Sequence, residues 1–130
     1  MDLDVKLDLI NAKTKHYLFK SKMRAWLNGS QDVPEEILAD YNACALGKWI
    51  NDIGKVKYGE YPEVQKLDAT HQRIHGKANE IIKLKKAGDQ EGAEAKMEDI
   101  DAIGAEIIKC IETLEAKFNW LNSFRMKANS

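Results

Sequence analysis

A chain of 130 residues with 44% apolar and 32% charged side chains, and only two prolines, excludes a disordered or β-rich protein and predicts one helical domain over 1–130. Twenty basic residues are interspersed with twenty-one acidic ones, which leaves no concentrated basic face for nucleic acid or an anionic membrane. The longest apolar runs are far short of the about 20 residues of a membrane span, and Met1-Asp2-Leu3-Asp4 lacks the regions of a secretory signal.

The first helix is expected from about Asp2 to Leu27. Val5, Leu9, Ala12, His16, Phe19, Met23 and Trp26 recur in steps of four and three, the inward seam of a bundle helix with an imidazole in its middle. Asn28-Gly29-Ser30 stops it. A connection containing Pro34, with a turn of helix at Glu35-Glu36-Ile37-Leu38, leads to a short helix from Asn42, its N-cap, to Ile53, with Gly54 ending it. Cys44 then falls in a first turn, where free N–H groups lower a thiol pKa.

After Gly59 and Pro62 a long helix is expected from Pro62 to Ala87, with a seam of Val64, Leu67, His71, Ile74, Ala78 and Ile81. Gly88-Asp89 turns it into an antiparallel hairpin with the last helix, Gln90 to Phe124. Gly104 lies in that helix's seam, at a cost of roughly 1 kcal/mol against alanine, which implies close approach of a neighbouring backbone. By length, Phe118, Trp120, Leu121 and Phe124 overhang the hairpin, and the first helix carries a second apolar stripe of Leu3, Leu7, Ile10 and Tyr17. Either a second protomer covers these surfaces or the C-terminal tail frays.

His71 and His75, four apart, leave one helix on the same side, the spacing that lets two imidazoles grip one ion. Gln72 stands where a zinc protease needs its glutamate base. His16 lies at the midpoint of its own helix, so packing side by side brings the three imidazoles to one depth. The connection is long enough to bring Cys44 to that layer. One thiolate and three imidazoles make a tetrahedral zinc shell of His16, Cys44, His71 and His75, with Cys44 ionised by the cation. Two other readings compete. A carboxylate-bridged di-iron bundle needs paired Glu-x-x-His motifs, and only Asp68-Ala69-Thr70-His71 comes near. A helical adaptor with plain core histidines needs no metal.

Asp68 is placed to orient a ligand imidazole or simply to face water. Trp49 and Ile53 pack the short helix onto the bundle, Cys110 is a small core residue, and Gly47 permits close approach of helices. Lys83-Leu84-Lys85-Lys86 is a solvated helix end.

The order His, Cys, His, His, with Asn42-Ala43-Cys44-Ala45-Leu46-Gly47-Lys48-Trp49 and Leu67-Asp68-Ala69-Thr70-His71-Gln72-Arg73-Ile74-His75, resembles the bacterial chemoreceptor zinc-binding (CZB) domain over about Ala12 to Leu114. The family's zinc ligands fall on the same four residues. The resemblance implies an antiparallel four-helix bundle, all-α and homodimeric, with one short helix carrying the cysteine ligand. It implies a non-catalytic sensor of zinc or of an oxidant such as hypochlorous acid, regulating a chemoreceptor or a diguanylate cyclase in cis or in trans. A cytoplasmic location follows from that role and from the two widely spaced cysteines. No output domain is recognisable within the chain.

Overall fold

The computed structural model describes residues 3–129, with side chains through 121. Helix α1 spans Leu3–Leu27. It ends where Gly29 takes φ 102°, a value that only glycine adopts at low cost. There Ser30 N–H reaches Ala25 O at 2.9 Å and Gly29 N–H reaches Trp26 O at 3.0 Å, so the last carbonyls of the helix are satisfied. The same device closes α5 (Pro62–Lys86), with Gly88 at φ 86° and Asp89 N–H bonded to Leu84 O at 2.9 Å. Asp89 then accepts Gly92 N–H at 2.8 Å and caps α6, Gln90–Asn129. One residue thus serves as both end and start, which makes α5 and α6 a tight hairpin.

Two short helices precede the hairpin, α2 (Glu35–Ala39) and α3 (Ala45–Trp49). The latter runs through a π turn, Ile50–Gly54, directly into α4, Lys55–Tyr58. Two boundaries therefore differ from the sequence expectation. The helix starts at Ala45 rather than Asn42, because Asp40 holds the preceding turn: its carboxylate accepts Asn42 N–H at 2.9 Å, and its carbonyl accepts the amides of Ala43 and Cys44. Gly54 does not end it. The wider π turn seats Gly54 under the Trp49 ring, where a Cβ would stand 3.0 Å from Cζ3, and the helix continues for another turn.

Apart from the connecting turns, the described residues are helical, and they contain no strand. Helix α6 packs along both α5 and α1, while α2 and α3 close the remaining side against α5 and α1. This is a bundle of three long helices and one composite short one. Its core joins Leu9, Ala12 and Met23 of α1 with Leu67, Ile74, Ala78 and Ile81 of α5 and Ile100, Ile107 and Ile111 of α6, all within 2% of fully buried. Lys85 ties the hairpin tip to the end of α1, donating to Trp26 O and Leu27 O at 2.5 and 2.9 Å. No described helix is long and apolar enough to cross a membrane.

The C-terminal overhang is partly covered within the chain. Phe118 lies between the rings of Tyr58 and Tyr61, with centroids at 5.5 and 5.2 Å, and Lys117 pairs with Glu63 at 2.7 Å. Trp120 and Leu121 remain 64% and 36% exposed, and the Phe124 side chain lies outside the described residues. The second stripe of α1 is solvent-facing along its whole length, with Leu3, Leu7, Ile10 and Tyr17 at 41–68% exposure.

Candidate metal centre

Four chemistry-bearing side chains are buried where α1, α3 and α5 meet: His16, Cys44, His71 and His75, each no more than 4% exposed. Long helices bring the histidines there because each occupies a seam position, and a helix cannot bury its neighbours on a stripe without burying it too. Cys44 arrives differently. It is the N-cap of α3, with extended φ −73° and ψ 140°, delivered by the Asp40 turn.

Cys44, His71 and His75 each offer one ligand atom such that all three atoms lie within 4.8 Å of one another. The Nε2 atoms of His71 and His75 face each other at 3.1 Å. For a tetrahedral ion with Zn–N bonds of about 2.0–2.1 Å, two nitrogen ligands stand about 3.3 Å apart, so the imidazole pair already has that spacing. The tautomer is also set at one of them. His75 Nδ1–H donates to Leu38 O at 2.6 Å, which leaves its Nε2 with a lone pair aimed into the cluster. The Phe19 ring packs on His75 with centroids 4.8 Å apart, and the Tyr41 ring stands edge-on to His71 at 6.2 Å.

His16 sits beside this trio rather than within the 4.8 Å set. Its ring rests on α6 at Gly104, where a Cβ would come 2.8 Å from Nε2 and 3.0 Å from Cε1. The expected close approach at Gly104 is therefore real, but it is made by an imidazole and not by a neighbouring backbone. Gly47 is likewise tight, against the Tyr41 carbonyl and against the His71 ring of α5, so it lets α3 approach that helix closely.

Burial sets the protonation states. Desolvation, with Lys20 adding to it, lowers the His16 pKa to about 4. Desolvation and the neighbouring His75 lower His71 to about 3, and desolvation also lowers His75 against the opposing pull of the Leu38 bond. All three rings are neutral at physiological pH, the form that binds metal. Burial raises the Cys44 thiol above its ordinary value, while the amides of Leu46 and Gly47 and the charges of Lys22 and Lys48 favour its thiolate. The expected lowering from a helix start is present but outweighed, because Cys44 lies inside the fold rather than at an open helix end.

The residues fit a metal ion. The Nδ1 atoms of His16 and His71 are buried with no hydrogen-bond partner, an arrangement that costs roughly 1–3 kcal/mol per group when nothing compensates it. A cation in the cluster would compensate at His16 by taking its unpaired Nδ1 as a ligand, beside the facing Nε2 atoms of His71 and His75 and the Cys44 sulfur. The donor set, one sulfur and neutral imidazoles, is that of zinc.

Other expected contributors stand elsewhere. Asp68 pairs with Lys55 at 3.0 Å and reaches His71 only through its charge. Cys110 is a buried free cysteine on α6, outside the cluster. Trp49 is buried at 3% exposure, as a packing residue of the short helix should be. The Leu38 carbonyl escapes sequence reading because any residue supplies a carbonyl; only a turn of helix at 35–38 hints that the backbone is ordered there. Asn79 fixes that turn from α5, donating to Ala39 O at 3.0 Å.

Comparison with known proteins points the same way. The sequence model of the chemoreceptor zinc-binding domain matches residues 16–82, just over half of the chain, from the first histidine through the last and into the following turns of α5. The match is narrower than the resemblance over 12–114 and leaves α6 outside. No curated protein and no solved structure matches the chain.

Proposed function

The chain belongs to the chemoreceptor zinc-binding domain family, whose members bind zinc and regulate signalling, and we propose that His16, Cys44, His71 and His75 together hold one regulatory zinc ion. The observation that carries this reading is the buried cluster itself: a thiol and two facing imidazole nitrogens within 4.8 Å, with orphaned ring nitrogens beside them. His16 supplies the fourth donor, since its Nδ1 is buried and unpartnered next to His71. Four protein ligands leave no open position for a substrate, which favours a sensor over a catalyst.

Cys44 is the lone ligand from the segment between α1 and α5, so its bond to the ion decides whether α2 and α3 stay docked. Release by zinc loss, or by oxidation, frees that segment. With hypochlorous acid, the thiolate gives up two electrons, takes the oxygen as a sulfenic acid, and chloride leaves; the product is a poorer ligand. The output is a chemoreceptor or a diguanylate cyclase in cis or in trans, and the module works in the cytoplasm, where thiols stay reduced.

His16 is tested through its seat. Gly104→Ala places a methyl group where the ring now rests, and His16→Ala removes the ring. His16→Ala lowers zinc affinity by about 100-fold or more, as the loss of one of four donors should, and Gly104→Ala by roughly 10–100-fold, in a competitive titration with helix content retained. Unchanged affinity in both variants would leave a three-residue site without His16.

A second copy of the chain covers the α1 stripe. Leu3 to Tyr17 spans about 21 Å of helix, an apolar length that a homodimer interface would bury. Ile10→Asp is expected to convert a dimer to a monomer in light scattering at micromolar concentration, with zinc stoichiometry unaltered. A wild-type chain that is monomeric at every concentration removes this part of the reading.

A further inference from the structure

Beside the metal centre, a cavity of about 150 Å³ opens between α1 and the segment carrying Cys44. Lys15, Lys22 and Lys48 line it, Phe19 and Leu38 back it, and Cys44 forms part of its wall; no carboxylate lines it. Lys15 and Lys22 are seven apart on α1, two turns along one side of the helix, and Lys48 faces them from α3. Seven other lysines, Lys13, Lys20, Lys55, Lys57, Lys77, Lys86 and Lys117, pair with a carboxylate. Among the described residues, none of the three cavity lysines does. Three uncompensated cations around one aperture repel each other. Such an arrangement is relieved by a bound anion, and low-dielectric walls strengthen the attraction.

We propose that this cavity is an anion-selecting entry to the metal site, through which small anions reach the Cys44 sulfur. Its volume equals roughly five water molecules at about 30 Å³ each, enough for an anion of a few heavy atoms and too small for a peptide. Two sources share that chemistry: an anionic oxidant that attacks the sulfur and an anionic ligand that competes for the metal. Either meets Cys44 on one side and, through Phe19 and Leu38, the wall that orients His75 on the other. The consequence for regulation rests on the zinc reading above, whereas the selectivity of the entry does not.

The test uses two methanethiosulfonates that share a reactive group, one bearing an ethylsulfonate and the other an ethyltrimethylammonium. In each, the cysteine sulfur attacks the reagent's thio sulfur, a disulfide forms, methanesulfinate leaves, and the thiol proton passes to water. Rates are corrected by those of a free small thiol and assigned by peptide mass. On the zinc-stripped full chain at low salt, Cys44 is expected to react at least about tenfold faster with the anionic reagent, a preference that Debye screening shrinks above about 0.5 M salt. Lys15→Gln, Lys22→Gln and Lys48→Gln combined bring the two rates within about twofold. Cys110 is the internal control, since the groove at its side carries Glu63, Lys66, Glu106 and Lys109 in balance; its ratio stays unchanged in the variant.

Equal rates at Cys44, a preference that salt does not reduce, or no labelling of Cys44 at all overturns the proposal, and the salt series needs no variant to fold. In zinc-loaded protein the anionic reagent is expected to release zinc in step with labelling, read with a metal indicator dye. The same reaction with a small anionic chelator in place of the thiol reagent separates the sources: zinc loss without sulfur modification marks a competing ligand, and labelling with loss marks an attacking electrophile. A chain that shows the charge preference yet holds no zinc retains the entry and loses the function.

Discussion

Replacing His71 with alanine abolishes stoichiometric zinc binding and weakens affinity by at least about 100-fold, while the zinc-free chain stays folded. Structural zinc sites contribute roughly 10–16 kcal/mol of apparent binding free energy near neutral pH. Divided over the four proposed donors, one ligand accounts for about 3 kcal/mol, which is about a factor of 100 or more in Kd. The loss is not shared out among the neighbours, because His75 Nε2 faces His71 Nε2 at 3.1 Å and keeps its geometry through the Leu38 carbonyl. It is left aimed at a hole.

For the zinc-free protein two effects oppose. The missing ring leaves a cavity, a cost of a few kcal/mol. Against that, a buried unpartnered Nδ1 disappears, which returns roughly 1–3 kcal/mol. The variant therefore retains its helix content and differs from wild type mainly in metal binding. Competitive titration with a chromophoric chelator, alongside metal analysis, reads the affinity, and circular dichroism reads the fold. Cys110→Ala, buried on α6 away from the cluster, keeps full zinc stoichiometry. Stoichiometric, tight zinc in the His71 variant would mean that the ion is held elsewhere.

The parts of this centre that sequence reveals are those that helical periodicity constrains. His16 and His71 occupy seam positions between apolar neighbours, so their burial follows from a spacing of four and three. His75 follows from its distance to His71. The hairpin is readable from Gly88-Asp89, because the two residues make chemically distinct ends: a left-handed stop and an N-cap. What stays hidden depends on which group a backbone meets. Gly104 announces a tight approach but not whether an imidazole or a main chain makes it. Gly54 looks like a stop, yet the Trp49 ring and a π turn carry the helix past it. Phe118 looks uncovered from helix length alone, because Tyr58 and Tyr61 reach it only after the chain has turned between α4 and α5. The bond from His75 to Leu38 has no sequence signature, although it determines which nitrogen of His75 meets the metal.

Gly47→Ala should be the most damaging single-methyl change in the protein. A Cβ there would lie 1.7 Å from Tyr41 O and 3.1 Å from His71 Cε1. An ordinary carbon–oxygen contact is about 3.2 Å, so one side must retreat by about 1.5 Å, and the nearer obstacle is backbone rather than the end of a flexible side chain. The Tyr41 carbonyl belongs to the turn that Asp40 pins through the amides of Ala43 and Cys44. Moving Tyr41 moves Cys44. Metal–ligand distances hold to within about 0.2 Å, so a displacement several times larger takes the sulfur out of the shell. Zinc affinity should fall by about 100-fold, as it would on losing the thiol altogether. Overpacking of this kind costs about 1–3 kcal/mol or more in the zinc-free fold, a drop of about 5–10 °C in Tm for a domain of this size. Gly76→Ala supplies the contrast. Gly76 lies next to His75 in the middle of α5, exposed, and a methyl group added there would meet nothing within 4 Å. At that position alanine gains about 1 kcal/mol of helix propensity, so Tm should rise while zinc binding is unchanged. Two Gly→Ala changes beside two ligands should thus act with opposite signs, and intact affinity in Gly47→Ala would show that the Tyr41 turn does not position the thiolate.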